Sequence, residues 1–274
     1  MDPKREVFPN APLAMVVAEI QFSYLQELNS EATMAQALDR VRMFTPVIKA
    51  SRKDTVDFQV GGDSASATHQ STGMMEASAL DRQTTAAITA QTLAVAMSGV
   101  AYTQYEQSLR PLIEAAYSGL VDVVPGVIVT RLGLRYLDEV RVPDASADVS
   151  SWRRWVAPEL LGGAGYLTKL SGVAVGVRST WQYLLPGDRQ VVLTYGPFRG
   201  SGVVGPDHPF HKAGPDSLMF VLDLDTSWTP HGGAASLACE DLTSQYDELH
   251  QPGQAVFAAA VTDEARELFR GGRS

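Results

Sequence analysis

The chain has 274 residues, 45% hydrophobic and 19% charged, which is the make-up of a folded protein and excludes wholesale disorder. Its 22 Lys and Arg against 31 Asp and Glu give a formal charge of −9, which argues against general affinity for nucleic acid or anionic membrane. A single cysteine, Cys239, excludes an intramolecular disulfide, and no apolar run reaches the ~20 residues of a membrane span.

In chain order, the N-terminal residues have no secretory h-region, and the expectation is a soluble cytoplasmic protein. Leu13 to Leu28 opens as a strand, with Val16, Ala18, Ile20 and Phe22 alternating against Val17, Glu19, Gln21 and Ser23. A helix is expected over Glu31 to Phe44, capped by Ser30 and stopped by Pro46. Val56 to Val60 reads as a short strand, and the Gly-, Ser-, Ala- and Thr-rich stretch 61–83 as a long loop or hairpin. Thr84 to Ser98 is β-like. Tyr102 to Leu120 carries Tyr105, Leu109, Leu112, Ile113, Ala116 and Tyr117 on one helical stripe, with a kink expected at Pro111.

Val127 to Val142 is again a strand. Asp148 caps a short helix bearing Trp152 and Trp155, and Gly162, Gly163 and Gly165 mark a loop. Strands are expected at Gly172 to Leu185, Gln190 to Tyr195 and Ser217 to Thr226, the first two joined by a Pro186-Gly187-Asp188 turn. The stretch 196–216 is Gly- and Pro-rich loop. A last helical region runs from Glu240 to Phe269 with a break near Pro252-Gly253.

Two segments match across the chain. Val16 to Leu28 aligns with Ile128 to Val140 in apolar phase, and Gln104-Tyr105-Glu106 aligns with Gln245-Tyr246-Asp247. The order of matches predicts an internal duplication. The expected fold is therefore α+β, two related halves at 1–122 and 123–274, each an antiparallel β-sheet backed by a long α-helix about a pseudo-twofold axis, with one compact domain overall as the alternative. A cleft is expected at the seam between halves.

Four charged residues stand out. Asp223 and Asp225 share one strand face about 7 Å apart, a spacing open to metal binding, acid–base work, a solvated face or arginine partners. Arg131 and Arg135 flank Gly133 on one face of their strand, which reads either as an anion pocket or as cross-strand ion pairs with Asp223 or Asp225. His208 and His211 form HxxH, but Pro206 and Pro209 deny it a helix. Gly200 to Gly205 matches GxGxxG without the helix a dinucleotide site requires, and no GxxxxGK[ST], HExxH, GxSxG or SxxK occurs. Cys239 next to Glu240 and Asp241, His250 at a helix end, and Trp152 with Trp155 all have ordinary structural readings: inert, packed, and covering a sheet.

The segments FPNAPL (8–13), RLGLRYLDEV (131–140), FVLDLD (220–225) and YDELHQPGQAVFAAAVTDEARELF (246–269) together resemble the sporadically distributed family of uncharacterised bacterial proteins. The resemblance runs end to end. It maps onto Arg131, Gly133, Leu134, Arg135, Tyr136, Asp223, Asp225, His250, Phe257, Thr262 and Asp263. The chain departs from that pattern at Leu137-Asp138 and at Ala14-Met15, and 61–83 has little family character. The resemblance implies an accessory or mobile-element gene and transfers no activity.

The reading that follows is a non-enzymatic binding or adaptor protein. It would use the inter-half cleft, or the face of Arg131, Arg135, Asp223 and Asp225, to hold a protein partner or a small anionic ligand, with no cofactor. The alternatives are an enzyme using Asp223 and Asp225 with His208 or His211, with or without a divalent metal, and a structural subunit of an assembly.

Overall fold

A computed structural model of the chain describes residues 8–61, 64–146, 148–162, 178–204, 208, 210 and 216–271, with backbone alone over 53–71. The elements in order are β1 (Leu13–Phe22), α1 (Glu31–Ala37), β2 (Val47–Gly61), β3 (Ser64–Ser78), β4 (Thr84–Ile88), β5 (Thr92–Ser98), α2 (Arg110–Val123), β6 (Ile128–Val140), β7 (Ser179–Leu185), β8 (Arg189–Gly200), β9 (Ser217–Trp228), β10 (Ala235–Ser236), α3 (Cys239–Ala260) and α4 (Asp263–Phe269).

The strands form one ten-stranded sheet in the order β2-β3-β4-β5-β1-β6-β9-β8-β7, with β10 also on β6. Its strand pairs are antiparallel. This overturns the expected fold of two halves, each a sheet backed by a long helix. β1 pairs with β6 from Leu13↔Asp138 to Phe22↔Val129, so the sheet is continuous through its centre. Two separate sheets would have left both strands as open edges, with unpaired amides along strands whose inner faces are apolar. The helical layer is minor and uneven. α2 has 14 residues and follows a π-helical turn at Tyr105–Leu109, whereas α3 has 22. The matched tyrosines also differ. The Tyr246 hydroxyl donates to the Glu19 carbonyl oxygen at 2.8 Å, whereas the Tyr105 hydroxyl faces the Asp247 carboxylate.

Strand alternation sets the layers. In β1, Val16, Ala18, Ile20 and Phe22 are buried, while Met15, Val17, Glu19 and Gln21 are half-buried on the other face. The buried face carries α1, α2 and the first part of α3, which close over β1, β4, β5 and β6. Further along the same sheet, Trp152, Trp155, Leu160 and Leu161 pack with Phe220, Leu222 and Leu224 of β9 and with Ala265 and Phe269 of α4. Trp152 lies 5.5 Å from Phe220 between ring centroids, so the tryptophans cover the sheet. The opposite face is open in its middle. At one end Val204 and Phe210 bury Ala14 and Leu137.

Local chemistry explains the ends and breaks. The Ser30 hydroxyl accepts from Thr33 N at 3.4 Å, and α1 gives way after Ala37 to a 3₁₀ turn, Asp39–Val41, so the expected helix to Phe44 is shorter than its periodicity. The stretch 61–83 contains β3, paired along β2 from Val47↔Ser78 to Gly61↔Ser64 as a hairpin. Pro111 falls in the first turn of α2, directly after the π turn Tyr105–Leu109, where its missing N–H costs little. The expected break at Pro252-Gly253 is absent. α3 runs through it and ends at Val261, whose extended backbone pairs with Val156, and Thr262 then caps α4. The Pro186-Gly187-Asp188 turn joins β7 to β8 with Gly187 at φ 74° and Asp188 at φ 59°. The expected strand portion 172–177, Gly163, Gly165, Gly205 and His211 lie outside the described residues. Among the described residues no helix is long and apolar enough to cross a membrane.

Candidate functional site

The first candidate is the open sheet face where β1, β6 and β9 lie side by side. β6 alternation puts Arg131, Gly133 and Arg135 there, and β9 alternation adds Asp223 and Asp225. The Arg135 guanidinium donates through Nε and Nη2 to both oxygens of Asp223, each at 2.7 Å. Arg131 Nη2 donates to Asp225 at 3.1 Å, and Arg131 Nη1 lies 3.6 Å from Glu19. Gly133 makes this possible. A Cβ there would stand 2.6 Å from Arg131 Nη1, so the space the glycine opens is filled by the neighbouring guanidinium. Burial holds the Asp225 carboxyl above its usual range, and Arg131 and Arg135 pull against that shift. The four residues expected to bind a ligand are therefore brought together, and they satisfy one another as an ion-pair ladder.

The second candidate lies on the helical side, where the π turn before α2 faces α3. A cavity of about 420 Å³ is lined by Tyr105, Glu106, Arg110, Asp247 and Gln251. Helical spacing places Tyr105, Glu106 and Arg110 on one rim, and Asp247 and Gln251, four apart, on the other. Arg110 Nε donates to Asp247 at 3.0 Å, and Glu114 stands 3.9 Å from Arg110 Nη1. Tyr105 is 2% exposed, and its buried hydroxyl faces the Asp247 carboxylate. That hydroxyl has the Asp247 carboxylate as its charged neighbour, and burial together with that carboxylate drives its pKa far up, so it stays a protonated donor.

A polar chain runs inward from this rim. The Tyr105 ring stacks on His250 at 4.3 Å and 15°. The Tyr136 hydroxyl shares a 2.7 Å hydrogen bond with His250 Nδ1 and also interacts with the Tyr102 hydroxyl. Two positions further along β6 is Asp138, 7% exposed, whose carboxyl is pushed up to about 7 by burial. Gly253 lets α3 close on this region, since a Cβ there would touch Leu224 and Tyr136 at 3.4 and 3.5 Å.

The remaining candidates stay apart. His208 accepts from Phe210 N at 3.2 Å, and the carboxylate its charge senses is Glu76 on β3, five strands from β9 in sheet order. His231 is 99% exposed and stands 3.6 Å from Asp188. Cys239 opens α3 with its sulfur 3.2 Å from the Ser118 hydroxyl. The indole nitrogens of Trp152 and Trp155 donate to the Ser146 carbonyl oxygen and to Asp144. Among the described residues, no three His, Cys, Asp or Glu side chains converge as a metal-binding group.

Sequence reasoning placed Tyr105 on an apolar stripe and missed the cavity. Its signal was the Gln104-Tyr105-Glu106 and Gln245-Tyr246-Asp247 match, which marks the two helical segments that form the rims. No family model matches the chain, and no curated protein matches it in sequence.

Proposed function

We propose that the protein is a non-enzymatic binding or adaptor protein that holds a small polar molecule in the cavity between the π turn and α3. The observation that carries this reading is a cavity of about 420 Å³ whose wall gathers the Tyr105 hydroxyl, Glu106, Arg110, Asp247 and Gln251, all polar or charged. Ligand sites of this size combine a largely preformed hollow with a few convergent polar groups.

The ion-pair ladder supports a structural part for the open face. An anion bound by Arg131 and Arg135 would have to displace Asp225 and Asp223, each already within 3.1 Å of a guanidinium. The same pairing supports the non-enzymatic reading over an acid–base pair, because both aspartates are committed to arginines. The single cysteine supports a reducing, cytoplasmic setting. The resemblance to the sporadically distributed family supports, as part of this proposal, a gene of the accessory bacterial genome.

Native mass spectrometry of the chain, purified gently from its host, tests the reading. The expected result is a small-molecule adduct on the wild type that is lost on Asp247→Ala. An adduct that survives Asp247→Ala, or a bound protein in its place, would sink the cavity reading.

A further inference from the structure

Away from the cavity, we propose that β7 is a self-association edge, on which a second copy of this chain adds its own β7 antiparallel about Gln182. Among the described residues β7 ends the sheet, with β8 as its paired neighbour. Five consecutive residues, Thr180 to Leu184, are exposed, so neither face of the strand is covered over that length. On the helix side the second apolar cluster runs outward from Leu193 and Tyr195 of β8 to Trp181 and Tyr183. Trp181 packs edge-on against Tyr195 at 5.7 Å and against Tyr183 at 6.2 Å, yet both of the outer rings stay exposed. Leu184, on the opposite face, is 79% exposed. The aromatic surface is thus held in place and extends a core that no described element completes.

The two ends of the sheet differ in a way that singles out this one. An unpaired edge strand is ordinarily kept from joining other chains by charged residues along it. β2, at the other end, carries Lys49, Arg52, Lys53, Asp54 and Asp57. β7 carries neither a charge nor a proline. What an antiparallel copy would face points to the occupant. Pairing about Gln182 sets Trp181 opposite Tyr183 of the second copy on both sides of the axis, an aromatic cross-strand pair of the stabilising kind. Gln182 meets its own counterpart, and the two amides can donate and accept in turn. The ends are complementary in charge. Exposed Arg178 precedes the strand, and exposed Asp188 follows it in the turn, 3.6 Å from His231. The antiparallel register brings each Arg178 beside the Pro186-Gly187-Asp188 turn of the other copy, whereas a parallel one sets like charges together.

Sedimentation velocity of the full chain over a wide concentration range is the test. The expected result is a concentration-dependent shift from 29.5 kDa to twice that mass. Gln182→Lys, at an exposed position, sets like charges opposite each other at the axis. It should weaken the dimer by about fivefold or more and leave the far-UV circular dichroism unchanged. Gln182→Glu should do the same alone. An equimolar mixture of the two variants should regain association, because the mixed dimer sets Lys opposite Glu. Trp181→Ser should also weaken the dimer. A monomer at every concentration overturns the proposal, as does a dimer indifferent to Gln182→Lys. Weakening by both charged variants without recovery in the mixture overturns the register about Gln182. A chain that stays monomeric while β7 takes up a strand of another protein overturns the second copy as occupant.

Discussion

Asp138 shows how one buried group ties sequence position to solution behaviour. It sits on the helix-covered face of β6, 7% exposed, and burial alone raises its carboxyl from 3.8 to about 7. A raised acid pKa means that the folded chain keeps a proton the unfolded chain has released. Its contribution to stability is therefore complete below about pH 4 and is lost as pH rises towards 7. Asp138→Asn removes that loss. It should stabilise the protein at pH 8 by up to about 4 kcal/mol, with a gain that shrinks as pH falls towards 4. Urea midpoints of both proteins at pH 5 and pH 8 check this, and a difference independent of pH would contradict it. Gly133 is the other instructive residue. It is a glycine for the sake of Arg131, whose guanidinium lies where a methyl group would be.

Between elements, two contacts carry measurable consequences. α1 and α2 touch at Gly119, where a Cβ would stand 2.3 Å from the Ala37 carbonyl oxygen. Glycine inside a helix normally costs about 1 kcal/mol against alanine, so Gly119→Ala would stabilise an isolated helix. Here the sign should reverse, with a loss of about 1–3 kcal/mol as α1 is pushed off α2. Thermal midpoints against wild type decide it. β6 and β9 are joined by the bidentate Arg135–Asp223 pair. Its side chains are 48% and 24% exposed, so screening limits it. A double-mutant cycle with Arg135→Ala and Asp223→Ala should give a coupling of about 0.5–1 kcal/mol that falls as salt is raised. Zero coupling at low salt would show that the ladder holds nothing together.

At the scale of the molecule, the continuous sheet joins the two larger apolar clusters. β6 contributes Leu132 and Leu134 to one and Val140 to the other, and α3 contributes Leu249 to the first and Ala260 to the second. Unfolding either side exposes the central β1–β6 ladder, so the chain should unfold in a single transition. Trp152 and Trp155 lie in the second cluster and Trp181 packs beside it on Tyr195, whereas Trp228 packs against the first, so fluorescence is weighted to the second side while far-UV circular dichroism reports the whole. Coincident denaturant curves from the two probes are expected. A fluorescence transition well separated from the dichroism would mean that 1–122 and 123–274 fold as independent units.

What the sequence determined by itself was local. Alternation in β1, β6 and β9, the Ser30 and Asp148 caps and the turn at Gly187-Asp188 follow from side chains within a few residues of one another. The neighbourhood of Arg131, Arg135, Asp223 and Asp225 was legible for the same reason, because strand period fixes which face each one takes. Joining the strands into one sheet was not legible. It depends on β1 finding β6 across more than a hundred residues, and a strand's period is the same whichever edge it joins. The path of α3 through Pro252 was likewise decided by packing, with Gly253 seated against Tyr136 and Leu224. The cavity is the furthest from the sequence. Tyr105 reads as one more apolar residue on a stripe, and only the approach of α3 gives its hydroxyl a carboxylate neighbour and a hollow beside it.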